Sequence, residues 1–161
     1  MAQMTDPNNA LILYQEAFDL GKIPLQRGAL DQELFVAVDE PNGHVRFSYM
    51  RVKGLILTGL VMFAQNGLVD GHPCFNLGYA VPLAYRGKGL AKSILVASLA
   101  ELEFGLTRAG IEMIHIEAVI HVDHRVSQRV AESVFFDPPT EILDSESGLP
   151  ALHYARKLAL K

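Results

Sequence analysis

The hydrophobic period of this chain changes between residues 75 and 108, and this change constrains the fold more than any other feature. Phe75 to Val81 is a mostly apolar run that stops at Pro82, a pattern typical of a buried strand. A glycine-rich turn follows. From Gly89 to Arg108 the apolar side chains recur at intervals of three or four residues, which predicts an amphipathic helix with one stripe, made of Ala91, Leu95, Leu99, Leu102 and Leu106.

The rest of the chain fits a single domain around this strand, turn and helix. Its 161 residues are the length of one domain, half of them are hydrophobic, and a fifth are charged. We therefore predict one domain over residues 1–161. The single cysteine, Cys74, excludes a disulfide within the chain, and Met1 to Asp6 show no signal-peptide features. We expect a cytoplasmic location.

Further helix and strand patterns precede the turn. Asn8 to Gly21 predicts a first helix, with Asp6 or Asn8 as candidate caps, and Leu25 to Asp31 predicts a loop or a short turn of helix. Four strands are expected next, at Glu33 to Asp39, Val45 to Val52, Leu55 to Phe63 and Phe75 to Val81. Asn66-Gly67 and Asp70-Gly71 mark a loop between the third and fourth of them.

After the long helix, Ile111 to Val122 predicts a fifth strand, with one face made of Ile114, Ile116, Ala118 and Ile120. Asp123 is a candidate cap for a short helix that runs to about Val134. Glu141 to Leu143 and Ala151 to Leu158 are expected to close the sheet as a strand pair. This order indicates an α+β domain built on a mixed, mostly antiparallel sheet.

Charge is unevenly distributed along the chain. With 14 basic and 18 acidic residues the net charge is −4, which argues against nucleic-acid binding. Residues 71–100 contain no acidic residue but hold Arg86, Lys88 and Lys92, so the other 11 basic and 18 acidic residues give a net −7. The positive stretch indicates a local site for an anionic ligand. The acidic remainder of the chain favours a cationic molecule as a second ligand.

A run without charge, Gly54 to Val69, raises the question of membrane insertion. It covers 16 residues, fewer than the roughly 20 that a spanning helix needs. It also contains Thr58, Gln65, Asn66 and three glycines. We interpret it as a buried strand with its turn and expect no membrane association.

The turn before the long helix combines the features of a phosphate site. Gly87 and Gly89 let the backbone approach a ligand closely, and the first N–H groups of a helix lack partners and lie at the positive end of its dipole. The spacing is neither that of a P-loop nor that of a dinucleotide-binding turn. The alternative is a flexible helix start that binds nothing.

Two motifs resemble the GNAT superfamily of acyl-CoA N-acyltransferases. Arg86-Gly-Lys-Gly-Leu-Ala91 is similar to the Arg/Gln-x-x-Gly-x-Gly/Ala turn, and Tyr79 to Pro82 is similar to the strand before that turn. Ile116 to Phe136 resembles the superfamily's fifth strand and following helix, with matches at Ser127, Val130, Glu132 and Phe136. His124 and Phe135 stand where that pattern has Asn and Gly.

The resemblance spans about Leu77 to Phe136 and implies an α/β/α layered fold whose sheet splays between the fourth and fifth strands. It also implies that acetyl-CoA binds at the turn, through Tyr79, Val81, Arg86, Gly87, Lys88, Gly89, Leu90, Ala91 and Lys92. The superfamily usually begins with a strand and two helices, from which the N-terminal part of this chain departs. The acceptor pocket is built largely from that region.

The implied reaction transfers an acetyl group from acetyl-CoA directly to a primary amine in a ternary complex, with a small molecule, a protein N-terminus or a lysine as acceptor. Ser127 is implied as a partner of the thiol sulfur, because the tyrosine that many relatives use would fall near Ala131, where this chain has none. The alternative is a hydroxyl that bonds its own helix backbone. Cys74 has no required role as nucleophile.

Glu117 is our preferred base, and its alternative is a strand carboxylate paired with a neighbouring Arg or Lys. His124, acting through water, and Tyr79 are further candidates. His121-x-Asp123-His124 has no evident fourth ligand, so we predict no metal. A non-catalytic acyl-CoA-binding or regulatory module is the alternative function, and a homodimer through Leu55 to Phe63 or the last strands is possible.

Overall fold

The structure is a computed structural model that describes residues 6–160. Its helices are α1 (Pro7–Asp19), α2 (Leu90–Arg108) and α3 (Arg125–Ala131). Its strands are β1 (Gln26–Arg27), β2 (Leu34–Asp39), β3 (Arg46–Lys53), β4 (Ile56–Val69), β5 (His72–Ala80), β6 (Met113–His121), β7 (Thr140–Leu143) and β8 (Pro150–Ala159). The signal-peptide expectation rests on the first six residues, of which 1–5 lie outside the described ones.

All eight strands form one sheet in the order β1-β2-β3-β4-β5-β6-β8-β7. β5 and β6 run parallel, and every other neighbouring pair is antiparallel, which confirms the mixed, mostly antiparallel sheet. β5 and β6 are the fourth and fifth strands of the sequence prediction. They pair only from Cys74 to Asn76 with His115 to Glu117 and separate beyond these residues, so the expected splay is confirmed.

Helices cover both faces of the sheet, as the three-layer prediction requires. On one face, α2 and α3 pack on the larger core, in which Leu95 and Leu102 of α2 and Ile114 and Ile116 of β6 are buried. On the other face, α1 covers a smaller core around Met50, Leu60 and Met62. The alternation of β6 follows from this arrangement, because its apolar residues face α2 while His115, Glu117, Val119 and His121 face the opposite side.

The start of α1 agrees with one of its two candidate caps. The Asp6 carboxylate accepts hydrogen bonds from the backbone N–H groups of Asn8 at 2.8 Å and Asn9 at 3.4 Å, which satisfies two amides of the first turn. Pro7 occupies the first helical position, where its missing N–H costs nothing.

The predicted end of the third strand is wrong. β4 continues to Val69, because Asn66-Gly67 forms a bulge, with a register shift between Gln65 and Leu68, and not a loop. Only Asp70-Gly71 turns the chain, with φ of 51° and 79°, the left-handed values of a two-residue hairpin turn. β4 lies between β3 and β5 with its side chains from Leu60 to Phe63 buried, so this run offers no edge to a second subunit.

Two smaller predictions are also wrong. Residues 25–31 contain β1, which pairs with β2, and neither a plain loop nor a turn of helix; two residues are too few to carry a periodicity. Asp123 does not cap α3, which begins after His124 without a side-chain cap and ends at Ala131, three residues before Val134. Among residues 6–160, no helix is both long and apolar enough to cross a membrane.

Candidate active site

The separation of β5 and β6 opens a cleft of about 600 Å³. Its two strand walls are residues 76–79 of β5 and 117–121 of β6, which begin at the last pair, Asn76 with Glu117, and then separate from each other. The start of α1, the start of α3 and the turn between β7 and β8 complete the cleft. Because parallel strands part toward their carboxyl ends here, the cleft opens on the side where the turn before α2 begins.

Tyr79 of β5 and Ser127 of α3 meet inside this cleft. The Ser127 hydroxyl donates to the Tyr79 phenol oxygen at 3.0 Å, and the phenol donates to the Ser127 carbonyl at 2.5 Å. The serine therefore does not bond its own helix backbone, which was the alternative to a catalytic role. Burial raises the pKa of Tyr79 to about 12, against the opposing effect of the Ser127 hydrogen bond. The phenol is thus protonated at neutral pH, and this favours a hydrogen-bond donor over a base.

Glu117 of β6 lies in the same cleft and is half-buried. The imidazole of His153 on β8 lies near it, with 3.7 Å between Glu117 Oε2 and His153 Nε2. None of the ion pairs of the described chain joins Glu117 to Arg or Lys, which was the alternative for this residue. Burial, and then the Glu117 carboxylate, raise the pKa of the Cys74 thiol to about 12, so this thiol is a poor nucleophile at neutral pH.

The turn between β7 and β8 forms a wall of the cleft that the sequence did not predict. The Asp144 carboxylate is 3.0 Å from His121 Nε2 of β6 and accepts the Ser147 hydroxyl at 3.0 Å. Asp144 also accepts the backbone N–H of Glu146 at 3.1 Å. These contacts lower the pKa of Asp144, and the hydrogen bond with His121 has the largest effect. The turn was identified in sequence from Ser147-Gly148, but its contact with β6 joins residues 23 positions apart.

The glycine turn lies before α2 and outside the cleft lining. Gly87 and Gly89 have φ of 79° and 73°, left-handed values that favour glycine, and both positions face open space. Gly89 gives α2 no side-chain cap, so the first N–H groups of this 19-residue helix have no such partner. The turn thus retains the open backbone and free amides that a pyrophosphate needs.

Arg86 has a different position from the one its sequence role suggests. Its Nε donates to the Val81 carbonyl at 2.9 Å, and its guanidinium also donates to the Asn8 side chain at 3.2 Å. These bonds fold the side chain back over the end of β5 and tie it to the start of α1. Lys88, whose ammonium lies 5.7 Å from the Tyr85 ring centre, and the exposed Lys92 are the cations that remain beside the turn.

The structure therefore separates the predicted site residues into two groups. Tyr79, Glu117, His124 and Ser127 line the cleft, whereas Val81 and residues 86–92 do not. His124 is exposed at the mouth, directly before α3. Within residues 6–160, no three His, Cys, Asp or Glu side chains are grouped as metal ligands, His121, Asp123 and His124 included.

Charge differs sharply between the two regions. The cleft lining contains four carboxylates, those of Asp6, Glu117, Asp144 and Glu146, and among its described residues there is no Lys or Arg. The turn before α2 carries Arg86, Lys88 and Lys92 and no acidic residue. The cleft and the turn that follows β5 thus carry opposite charge.

The fold matches that of GNAT acetyltransferases of known structure. An acetyltransferase of the GNAT family from Streptococcus pneumoniae superimposes with a TM-score of 0.55 at 10% identity over 98% of each chain. RimL, a ribosomal L7/L12 alpha-N-protein acetyltransferase in complex with coenzyme A, gives 0.53 at 20% identity over 74% of this chain and 64% of its own. RimJ of Mycobacterium smegmatis with CoA-disulfide gives 0.53 at 19% identity, over 72% and 54%. Neither a protein-family model nor a curated protein matches the chain.

Proposed function

The chain has the fold of the GNAT acetyltransferases, and we propose that it is a member of that superfamily that transfers an acetyl group from acetyl-CoA to a primary amine. The observation that carries the proposal is the cleft between β5 and β6, which lies beside an uncapped, glycine-led helix start. An acidic cleft that lies next to an anion site suits an anionic donor and an amine acceptor bound together.

On this proposal, the backbone of residues 87–90 and the side chains of Lys88 and Lys92 hold the pyrophosphate of the donor, as the free amides of α2 and the open glycines allow. Val81 and Tyr79, further back along the chain, border the pantetheine arm. Bound acetyl-CoA supplies a thioester carbonyl open to attack and a thiolate leaving group. Arg86 links the turn to the end of β5, because its Nε donates to the Val81 carbonyl.

We assign to Ser127 and Tyr79 the return of a proton to the leaving thiolate. The serine hydroxyl already donates to the phenol, and the phenol keeps its proton at neutral pH, so either group supplies a hydrogen-bond donor inside the cleft. Glu117, on the opposite wall, is the proposed base that takes a proton from the attacking amine, directly or through water. Its carboxylate forms no ion pair with Arg or Lys in the described chain. His124 at the mouth is the alternative base.

The first experiment measures donor binding and transfer separately. The protein is incubated with acetyl-CoA and a panel of amines while free thiol is followed, and its unfolding temperature is measured with and without acetyl-CoA. Thiol release that depends on one amine class supports the proposal. The absence of any shift in unfolding temperature with acetyl-CoA would overturn it.

A non-catalytic acyl-CoA-binding module is the second candidate, because Ala131 stands where many GNAT enzymes have their tyrosine. Tight binding of acetyl-CoA with no thiol release from any amine would identify this module. If thiol is released, Ser127→Ala supports an enzyme further, because turnover should fall while acetyl-CoA affinity is unchanged.

A second experiment tests the pyrophosphate position. Gly89→Val places a side chain at a left-handed position of the turn and should weaken acetyl-CoA binding about tenfold or more, the equivalent of one or two lost amide–phosphate hydrogen bonds. Gly43→Val is the matched control, since Gly43 has φ of 80°, faces open space, and lies far along the chain from the turn. Normal binding by the Gly89 variant would remove the pyrophosphate from this turn.

We also propose a cytoplasmic location, which rests on the single reduced cysteine, and leave the oligomeric state to measurement. Since β4 is central, a homodimer would use the outer strands β7 and β8 or a helical face.

A further inference from the structure

The acceptor end of the cleft has a wall whose position depends on polar contacts. Residues 144–147, which join β7 to β8, line the cleft, and the Asp144 contact with His121 fixes them against the open half of β6. Ser147 reinforces this contact from the turn, and it accepts the backbone N–H of Leu149 at 3.2 Å. The turn is thus a fixed part of the cleft.

The four carboxylates of the lining differ in what they already bind. Asp6 is used by the first amides of α1, and Asp144 is used by His121 and Ser147. Glu117 has only weak partners, His153 at the long distance of 3.7 Å and the protonated thiol of Cys74, and it pairs with no Lys or Arg of the described chain. The exposed side chain of Glu146 makes no hydrogen bond or ion pair within the described chain. Two carboxylates therefore remain for a ligand, one inside the cleft and one at its mouth.

We propose that the cleft selects an amine acceptor that carries a second positive charge, with the reacting amine at Glu117 and the second cation at Glu146. This inference rests on the proposed acetyl transfer and deepens it by naming the class of acceptor. Neutral and anionic amines are disfavoured because the described lining residues include four carboxylates and no Lys or Arg to balance them. Cationic acceptors are attracted to it, and that attraction weakens with salt.

The experiment measures binding and does not require turnover. 1,4-Diaminobutane and n-butylamine, which have the same carbon chain but different charge, are titrated into the protein by calorimetry, with and without coenzyme A. We expect the dication to bind about tenfold more tightly at low salt, a difference of roughly 1.4 kcal/mol. Glu146→Gln should remove most of this preference. Glu141→Gln, a control on the exposed side of β7 outside the cleft, should keep it.

Peptides distinguish the two sources of such an acceptor. A tripeptide amide with Lys in second place is compared with the same peptide carrying norleucine there, beside the diamine pair. If the lysine peptide binds more tightly than both the diamine and the norleucine peptide, the acceptor is a protein N-terminus with a cationic side chain beside it. If the diamine binds most tightly, the acceptor is a free polyamine.

Equal affinities for the dication and the monocation, or a preference that Glu146→Gln leaves unchanged, would overturn the inference. The same titrations report on acetyl transfer separately. A protein that binds coenzyme A but does not discriminate by charge retains the proposed function and loses only this inference, and one that binds the dication but not coenzyme A loses the function.

Discussion

Single residues hold this fold together at points that the sequence gives no reason to single out. Glu101, on α2, is buried, and its carboxylate accepts the backbone N–H groups of Ala29, Leu30 and Asp31 at 2.6–2.9 Å. These bonds fix the loop between β1 and β2 on the helix. In the sequence, Glu101 is one acidic residue next to an apolar stripe, and its partners lie some 70 positions away.

We expect Glu101→Ala to lower the free energy of unfolding by about 2–4 kcal/mol, because three partly buried N–H groups lose their acceptor. Urea denaturation measures this loss. Glu103→Ala is the control, since that side chain lies on the same helix without such partners, and a change within about 0.5 kcal/mol is expected. Equal destabilisation by both variants would contradict the assigned role of Glu101.

Cys74 gives a second prediction at this scale. Its buried thiol, with a pKa raised to about 12, is almost entirely protonated at pH 8, with about one thiolate in 10⁴. We therefore expect Ellman's reagent to react with the denatured chain within minutes and with the folded protein only as fast as it unfolds. Rapid reaction of the folded protein would show that the thiol is accessible and ionised.

At the scale of elements, the hairpin β7–β8 depends on the ionised form of Asp144. His121 and the hydrogen bonds within the turn lower the pKa of this carboxyl in the folded protein. Its bonds therefore add stability above the ordinary pKa of aspartate, about 3.9, and this contribution is lost as the pH falls through the lower folded value.

We expect Asp144→Asn to lower the free energy of unfolding by up to about 1 kcal/mol at pH 7, a small value because the pair lies near solvent. The difference between variant and wild type should stay constant down to about pH 5, shrink as the pH falls below about 4, and reach zero only below the folded pKa of Asp144. Thermal unfolding across this range measures it. A difference that stays constant with pH would mean that the charge of Asp144 does not stabilise the hairpin.

At the scale of the whole molecule, the sheet is continuous, but two of its long interior strands, β5 and β6, pair over only a short stretch. β5 and β6 share three residue pairs, whereas β6 and β8 share nine. The cleft forms where β5 and β6 no longer pair with each other, although β5 still pairs with β4 and β6 with β8. The backbone groups that lose their partners at this gap are available to a ligand. On the proposed function, the positive turn binds the anionic donor and the acidic cleft binds the amine acceptor.

Acetyl-CoA should therefore slow amide hydrogen exchange at the carboxyl ends of β5 and β6 more than elsewhere. The reason is that alternate residues of these ends direct their N–H groups into the gap. Exchange measured by mass spectrometry should show added protection over residues 77–80 and 118–121, and little over β2 and β3. Protection spread evenly over the sheet would indicate global stabilisation without a ligand in the cleft.

Much of this architecture was predictable because it depends on neighbours in the chain. The strand–turn–helix from Phe75 to Arg108, the alternation of β6 and the closing hairpin follow from periodicity and turn residues, which are local. The errors have the same origin. An Asn-Gly pair occurs both in bulges and in loops, so the bulge at Gly67 could not be told from a loop. A side-chain cap stabilises a helix by only about 1 kcal/mol, so tertiary packing can start α3 after His124 without using Asp123 as its cap.

The sequence by itself determined the order of elements, the glycine turn with its free amides and the positive charge around it. Only the tertiary structure decided which side chains share the cleft. Ser127 meets Tyr79 across 48 positions and Asp144 meets His121 across 23, because strand pairing and helix packing bring them together and no local pattern records either contact. Local interactions set conformation within a few residues, whereas a site of this kind is created by long-range packing of the whole sheet.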